Sequence, residues 1–313
     1  MKRIPRHKTV PPDKRHVVRE PAAEVELGET FLVETINFRT PIIRSKADAN
    51  PDVYREREET GPIFVKGVAG GEAIAIHILS ISPEGHASGG SLPDRKENSF
   101  LEISAGQVRF PGGLSLPLRM MIGDIRVQPV KPGPHPWDYG GNMDFKDIAP
   151  GNVLLFEAQL PGALIVLGDV HAAQGDGEIE GVGAECAAEV VLKVTKAPGL
   201  PVERPVVLKE NSFVTIACRT DYAAARDLAV EDAVRLLLSF HRCAESEARL
   251  YVRTVGDLRN GAVWSMGKAE PAWCKHLPLV IGMEVPLNGG ALAEYRDLRG
   301  RLSAAGGPAG GEP

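Results

Sequence analysis

Glycine and proline punctuation constrains this chain more than any other feature. The 313 residues include 34 Gly and 25 Pro, and across residues 24–208 these, with Asn and Asp, cut the apolar residues into short runs. Runs this short, bounded by turn formers, predict many short strands in a sandwich or barrel-like body. The candidate strands are 30–36, 63–68, 73–81, 116–127, 152–158, 163–168 and 187–195. In 73–81, Ile74, Ile76 and Ile78 alternate with Ala75, His77 and Leu79, the period of two that a pleated strand requires.

Near Asp221 the punctuation gives way to Ala, Arg, Leu and Glu, and the apolar spacing becomes helical. Ala233, Val234, Leu237 and Leu238 share one helical face, leaving Glu231, Arg235 and Arg242 for solvent. Asp227 is the expected N-cap. A second helix is expected over 245–255, with Gly256 ending it in a left-handed conformation. The expected architecture is therefore mainly β, with a smaller α+β portion. Its divisions are an N-terminal segment 1–23, a β-rich body 24–208 carrying the site, an α+β portion 209–302 and a disordered Gly/Pro/Ala tail 303–313.

Bulk composition excludes several classes of function. At 43% hydrophobic and 25% charged residues, with a formal charge of -5, the chain matches a soluble globular protein and carries no basic footprint for nucleic acid. The basic start, from Lys2 to Arg19, reads as a solvated segment rather than a membrane helix. No apolar run approaches the roughly 18 residues needed to cross a bilayer, and no secretory leader follows Met1. The four cysteines, Cys186, Cys218, Cys243 and Cys274, form no Cys-x-x-Cys pair and are expected to be reduced thiols in a cytoplasmic protein.

Polar groups without an obvious folding role concentrate between Gly140 and Glu185. Gly140-Gly141-Asn142-Met143-Asp144 places Asn142 and Asp144 at the exit of a turn that the paired glycines permit. Downstream, Asp169-Val170-His171 puts a carboxylate and an imidazole two residues apart, on the same side of an extended backbone. Such a pair suits Zn²⁺ or another divalent ion, with a third ligand from another loop and an open position for water. Asp144, Glu178 and Glu185 are the available carboxylates. A bound metal lowers the pKa of water from about 15.7 to near 7, the help that amide hydrolysis needs. The competing reading of Asp169 and His171 is a hydrogen-bonded surface pair, and that of Glu185 an exposed strand-edge carboxylate.

Other candidates read as structural. Gly175-Asp176-Gly177 is a tight turn without EF-hand spacing. His77 and His86 are isolated histidines in a strand and a turn. Cys186 has no adjacent base and reads as a small buried hydrophobe. Without a Gly-x-Ser-x-Gly elbow or a Walker sequence, serine and nucleotide chemistry are not expected.

These segments resemble the acetamidase/formamidase family. Its pattern includes Gly-Gly-Asn-Met-Asp, here residues 140–144, and Pro-Gly-Ala-Leu, here 161–164. It continues with Gly-Asp-x-His-Ala-x-Gln-Gly-Asp-Gly-Glu, here 168–178, and a Glu seven residues on, here Glu185. Residues 61–67 with Gly71-Glu72, and 222–259, also look like the family's entry strand and helical region, so the resemblance covers most of 24–283. It implies an all-β body with a smaller α+β part, hydrolysis of a short linear amide to carboxylate and ammonia, and a homo-oligomer. On this reading Asp144, Asp169 and His171 are ligands of a divalent metal, zinc being expected. Glu185 is the proton shuttle, Asn142 the substrate or oxyanion partner, and Asp144 borders on catalysis as well as metal binding. The alternatives are a non-catalytic small-molecule or metal-binding member of the family, and polar loops that serve as an oligomer interface.

Overall fold

The computed structural model describes residues 1–6, 9–10, 20–37, 42–49, 59–91, 98–131, 133–179, 181–263 and 278–304. Cys274 and the tail from 305 onward lie outside the described residues. The early strands are Lys2–Ile4 (β1), Thr9–Val10 (β2), Ala23–Glu26 (β3), Thr30–Glu34 (β4), Glu59–Lys66 (β5) and Ala73–Ser91 (β6). A meander follows, Asn98–Ser104 (β7), Gln107–Arg109 (β8) and Ser115–Pro117 (β9), then Met121–Arg126 (β10), Gly140–Asn142 (β11) and Val153–Glu157 (β12). The chain continues through Ile165–His171 (β13), Glu185–Lys196 (β14), Val206–Leu208 (β15) and Ser212–Arg219 (β16). Two helices, Tyr222–Phe240 (α1) and Glu245–Val255 (α2), precede Asp257–Asn260 (β17), Leu279–Pro286 (β18) and a third helix, Gly289–Ala304 (α3). The architecture is mainly β with a small helical portion, as the punctuation predicts.

Pairing is largely antiparallel, with parallel contacts at β1–β4 and β3–β5. β14 is the hub, pairing with β4, β6 and β13, while β13 also pairs with β10 and β5. β13 is therefore buried along its whole length, and a residue at its end is held from both sides. Ile74, Ile76 and Ile78 enter one core with Leu154, Phe156, Leu167 and Val190. The opposite face of β6 is partly covered as well. Ala75 joins a second core against α1 and α3, and the hydroxyl of Thr195, 2.9 Å from His77 Nε2, lies 2.9 Å from the carbonyl of Leu302 in α3.

Several expected details differ. The 116–127 run divides into β9 and β10, and 163–168 becomes a strand only from Ile165, because Ala163 and Leu164 take positive φ values of 57° and 53°. α1 begins at Tyr222 and is capped by Asp221, whose carboxylate accepts from Ala224 N at 2.8 Å; Asp227 lies inside the helix on its exposed side. Leu236 rather than Leu238 is fully buried with Ala233, Val234 and Leu237. α2 spans the expected residues, but Gly256 has φ -73°, because the chain runs directly into β17 instead of turning back. α3 was not expected, and it carries Ser303 and Ala304, the first residues assigned to the tail. No described helix is long and apolar enough to cross a membrane.

Candidate metal and active site

The site forms where the ends of β13 and β14 meet the turn after β11. His171, the last residue of β13, pairs in register with Glu185, the first of β14. β11 pairs with β10, Asn142 opposite Asp124, and the backbone N–H groups of Met143 and Asp144 both donate to the carbonyl of Gly123 at 3.0 Å. With φ at 45°, Asp144 is folded back toward β13. Gly123 allows this approach: a Cβ there would lie 2.6 Å from Asp144 Oδ1 and 2.7 Å from the carbonyl of Asp169.

Asp144, Asp169, His171, Glu178 and Glu185 are all buried. Ligand atoms of Asp169, His171 and Glu185, and likewise of Asp144, His171 and Glu178, lie within 4.8 Å of one another. His171 Nε2 is 3.0 Å from Glu185 Oε2 and 3.6 Å from Asp169 Oδ1. Asp169 does not reach this place along a regular strand. Its φ of 55° breaks the pleat, so the two-residue spacing brings it beside His171 for a different reason than extended geometry. Burial excludes the exposed readings of Glu185, Asp169 and His171.

Gln174 orients the imidazole. Its amide NH₂ donates to the carbonyl of Asp144 at 2.5 Å, leaving Oε1 facing His171 Nδ1 at 2.6 Å. Nδ1 is then the donor, and Nε2 is the nitrogen presented to the carboxylates. Gly183 packs on the ring so closely that a Cβ would sit 2.5 Å from Nδ1. Asn142 Nδ2 donates to Asp144 Oδ2, tying the Gly-Gly turn to the cluster.

Electrostatics match this crowding. Burial pushes Glu185 up to about 7, helped by Asp169 and Glu178 and opposed by His171. Burial works against a charged His171, yet Glu185 and Asp169 raise it well above its usual 6.5. Four buried carboxylates around one imidazole carry more negative charge than the imidazole can balance, so a divalent cation fits the group. Oxygen donors with a single nitrogen suit several divalent ions.

Asp176 stands apart, 2.9 Å from both Arg259 Nε and Lys146 Nζ, a turn residue as expected. His86 Nδ1 accepts from Ile103 N at 3.1 Å, a structural role. Burial pushes the Cys186 thiol up to about 12, which disqualifies it as a nucleophile. A crevice of about 340 Å³ beside Glu157, Lys196 and Glu203 shares no residue with the carboxylate cluster.

A second buried group escaped sequence reasoning. Arg126, fully buried, lies 2.6 Å from Glu59 and 3.1 Å from Asp124, and His135 Nε2 is 2.8 Å from Asp124 Oδ2. Asp124 is within the 120–124 segment, but nothing in the spacing joins it to His135 or Glu59. The available signal was Pro134-His135-Pro136, a histidine fixed between prolines just before the paired glycines. Although three of these side chains have metal-ligand chemistry, Arg126 already supplies a cation between two of them.

The acetamidase/formamidase family pattern matches residues 130–278, which include both His135 and the carboxylate cluster of 144–185. A crystal structure of an acetamidase from Bacillus halodurans is 27% identical, covering 95% of this chain and 99% of that one, with a TM-score of 0.78. A predicted acetamidase/formamidase from Thermoanaerobacter tengcongensis is 26% identical over 91% of this chain and 95% of its own, with a TM-score of 0.77. A formamidase of Methylophilus methylotrophus is 40% identical over 60 residues, which is 19% of this chain and only 15% of that relative's length.

Proposed function

Because this chain belongs to the acetamidase/formamidase family, we propose that it hydrolyses a small linear amide, formamide- or acetamide-like, to the carboxylate and ammonia. The observation that carries this reading is the convergence of Asp144, Asp169, His171 and Glu185 in one buried group. Asp144, Asp169 and His171 would hold a divalent cation, zinc being the first candidate, with Glu178 at hand as a further ligand. When bound, such an ion lowers the pKa of water and polarises a carbonyl.

The chain's own residues divide the remaining work. Glu185, pushed up to about 7, can take and return a proton near neutral pH, which a carboxylate at its ordinary value does poorly. Asn142 is the substrate or oxyanion partner, its amide held at the exit of the Gly-Gly turn by Asp144. Gln174 fixes the His171 tautomer, the second-sphere role a ligating histidine requires. Residues 1–23, 24–208 and 209–302 would be the units carrying, respectively, the entry segment, the site and the helical flank. We place the protein in the cytoplasm as a homo-oligomer.

Ammonia release from formamide, acetamide, propionamide and urea tests the reading, with carboxylate measured alongside. Equal yields of ammonia and carboxylate from a short amide are expected. Tight metal uptake with silence over the whole panel contradicts hydrolysis and favours a binding member of the family.

A further inference from the structure

The amidase reading leaves one chemical need unmet. Amide nitrogen is a poor leaving group, so the C–N bond breaks readily only if a proton reaches the nitrogen as it departs. The carboxylate cluster faces the opposite demand, since its members remove a proton from water. The buried Glu59–Arg126–Asp124–His135 group has no part in that step.

Its geometry has a direction. Arg126 links Glu59 and Asp124, and Asp124 Oδ2 meets His135 Nε2 at 2.8 Å. Burial works against charge on Asp124, but His135 and Arg126 hold it well below the usual carboxylate range, so an anion backs the imidazole. Glu59, Arg126 and Asp124 are fully buried, whereas His135 is only partly so and comes from a stretch with exposed neighbours such as Pro134. The relay therefore runs from the core to an accessible end.

That end lies on the substrate turn. His135 Nε2 is 3.2 Å from the backbone N of Asn142, whose side chain contacts Asp144. Gly141 has φ 122°, and a Cβ there would lie 2.5 Å from His135 Nδ1. The glycine pair thus admits the ring as well as shaping the turn. Flanking side chains hold the stretch: Arg219 pairs with Asp138 at 2.7 Å and stacks 4.4 Å over Trp137.

We propose that His135, backed by Asp124, is the general acid that protonates the leaving amine, an assignment that rests on the amidase reading. In the tetrahedral adduct the oxyanion reforms the carbonyl and the C–N bond breaks with its electron pair on nitrogen. The proton passes from the imidazolium to that nitrogen, giving ammonia, the carboxylic acid and neutral His135. The acid then loses its proton, and a proton from solvent recharges the imidazole.

The test compares His135→Asn and His135→Ala with wild type on acetamide and on p-nitrophenyl acetate, whose phenolate departs without protonation. Acetamide turnover is expected to fall about 100-fold, the low end for general acid catalysis. The amide-to-ester ratio should fall nearly as far, with bound metal unchanged, and added imidazole should restore acetamide turnover in His135→Ala by tenfold or more. Amide turnover within threefold of wild type overturns the assignment. So does a loss that strikes ester and amide alike and that imidazole does not relieve, the mark of a structural residue. Wild-type protein silent on every amide overturns the amidase reading itself, an outcome visible before any variant is made.

Discussion

His171 stands directly across the β13–β14 ladder from Glu185, with Nε2 3.0 Å from Oε2. The pairing register therefore delivers a ligand and a base to the same point, one from each strand. Replacing Glu185 with Gln keeps the shape and removes the titrating oxygen. Turnover should fall about 100-fold or more while bound metal stays near the wild-type level. A variant that loses metal in proportion to activity would make Glu185 a ligand instead.

Gln174 is predicted to act through His171. Gln174→Met removes both amide contacts at similar volume, so the imidazole loses its fixed tautomer. Metal affinity should weaken about 10- to 100-fold, measured by competition with a chromogenic chelator. Unchanged affinity would show that packing on Gly183 alone orients the ring.

Gly123→Ala places a methyl group on Asp144 Oδ1 and the Asp169 carbonyl. The carboxylates must part, and a displacement of about 1 Å at a reacting centre can cost about 100-fold in rate. The thermal midpoint and turnover should both fall. Turnover equal to wild type would mean that neither carboxylate matters where it sits.

Burial pushes Glu59 up to about 7 against the pull of Arg126. The folded state then keeps a proton that the unfolded chain releases above its ordinary value of 4.5. This contribution to stability is fully present below that value and is lost as pH rises toward 7, an effect of up to about 3 kcal/mol. Glu59→Gln should flatten the denaturation midpoint across that window. An unchanged slope would place the titration elsewhere.

Much of this was legible in the sequence because it is local. Period two over 73–81 and the helical rhythm at Ala233, Val234 and Leu237 depend on neighbours, and so does the Asp169–His171 spacing. What escaped is set by distant pairings. Asp169 reaches His171 through a left-handed residue opposite Gly123, which no spacing rule anticipates. Glu59, Asp124 and His135 are separated along the chain and meet only because β5 and β10 both pair with β13. The cap at Asp221 was missed in favour of Asp227 because both precede apolar residues at helical spacing, and only the backbone distinguishes them. α3 carries few buried residues, Tyr295, Leu298 and Leu302, and so left a weak pattern.

The most direct test of the central claim is chelation and reconstitution of wild-type protein and His171→Ala, with ammonia release and elemental analysis on the same samples. The account predicts that wild type loses ammonia release with its metal and recovers it on adding a divalent ion. His171→Ala should stay folded, bind little metal and remain silent. Full ammonia release from metal-free wild type, or from His171→Ala, would contradict it.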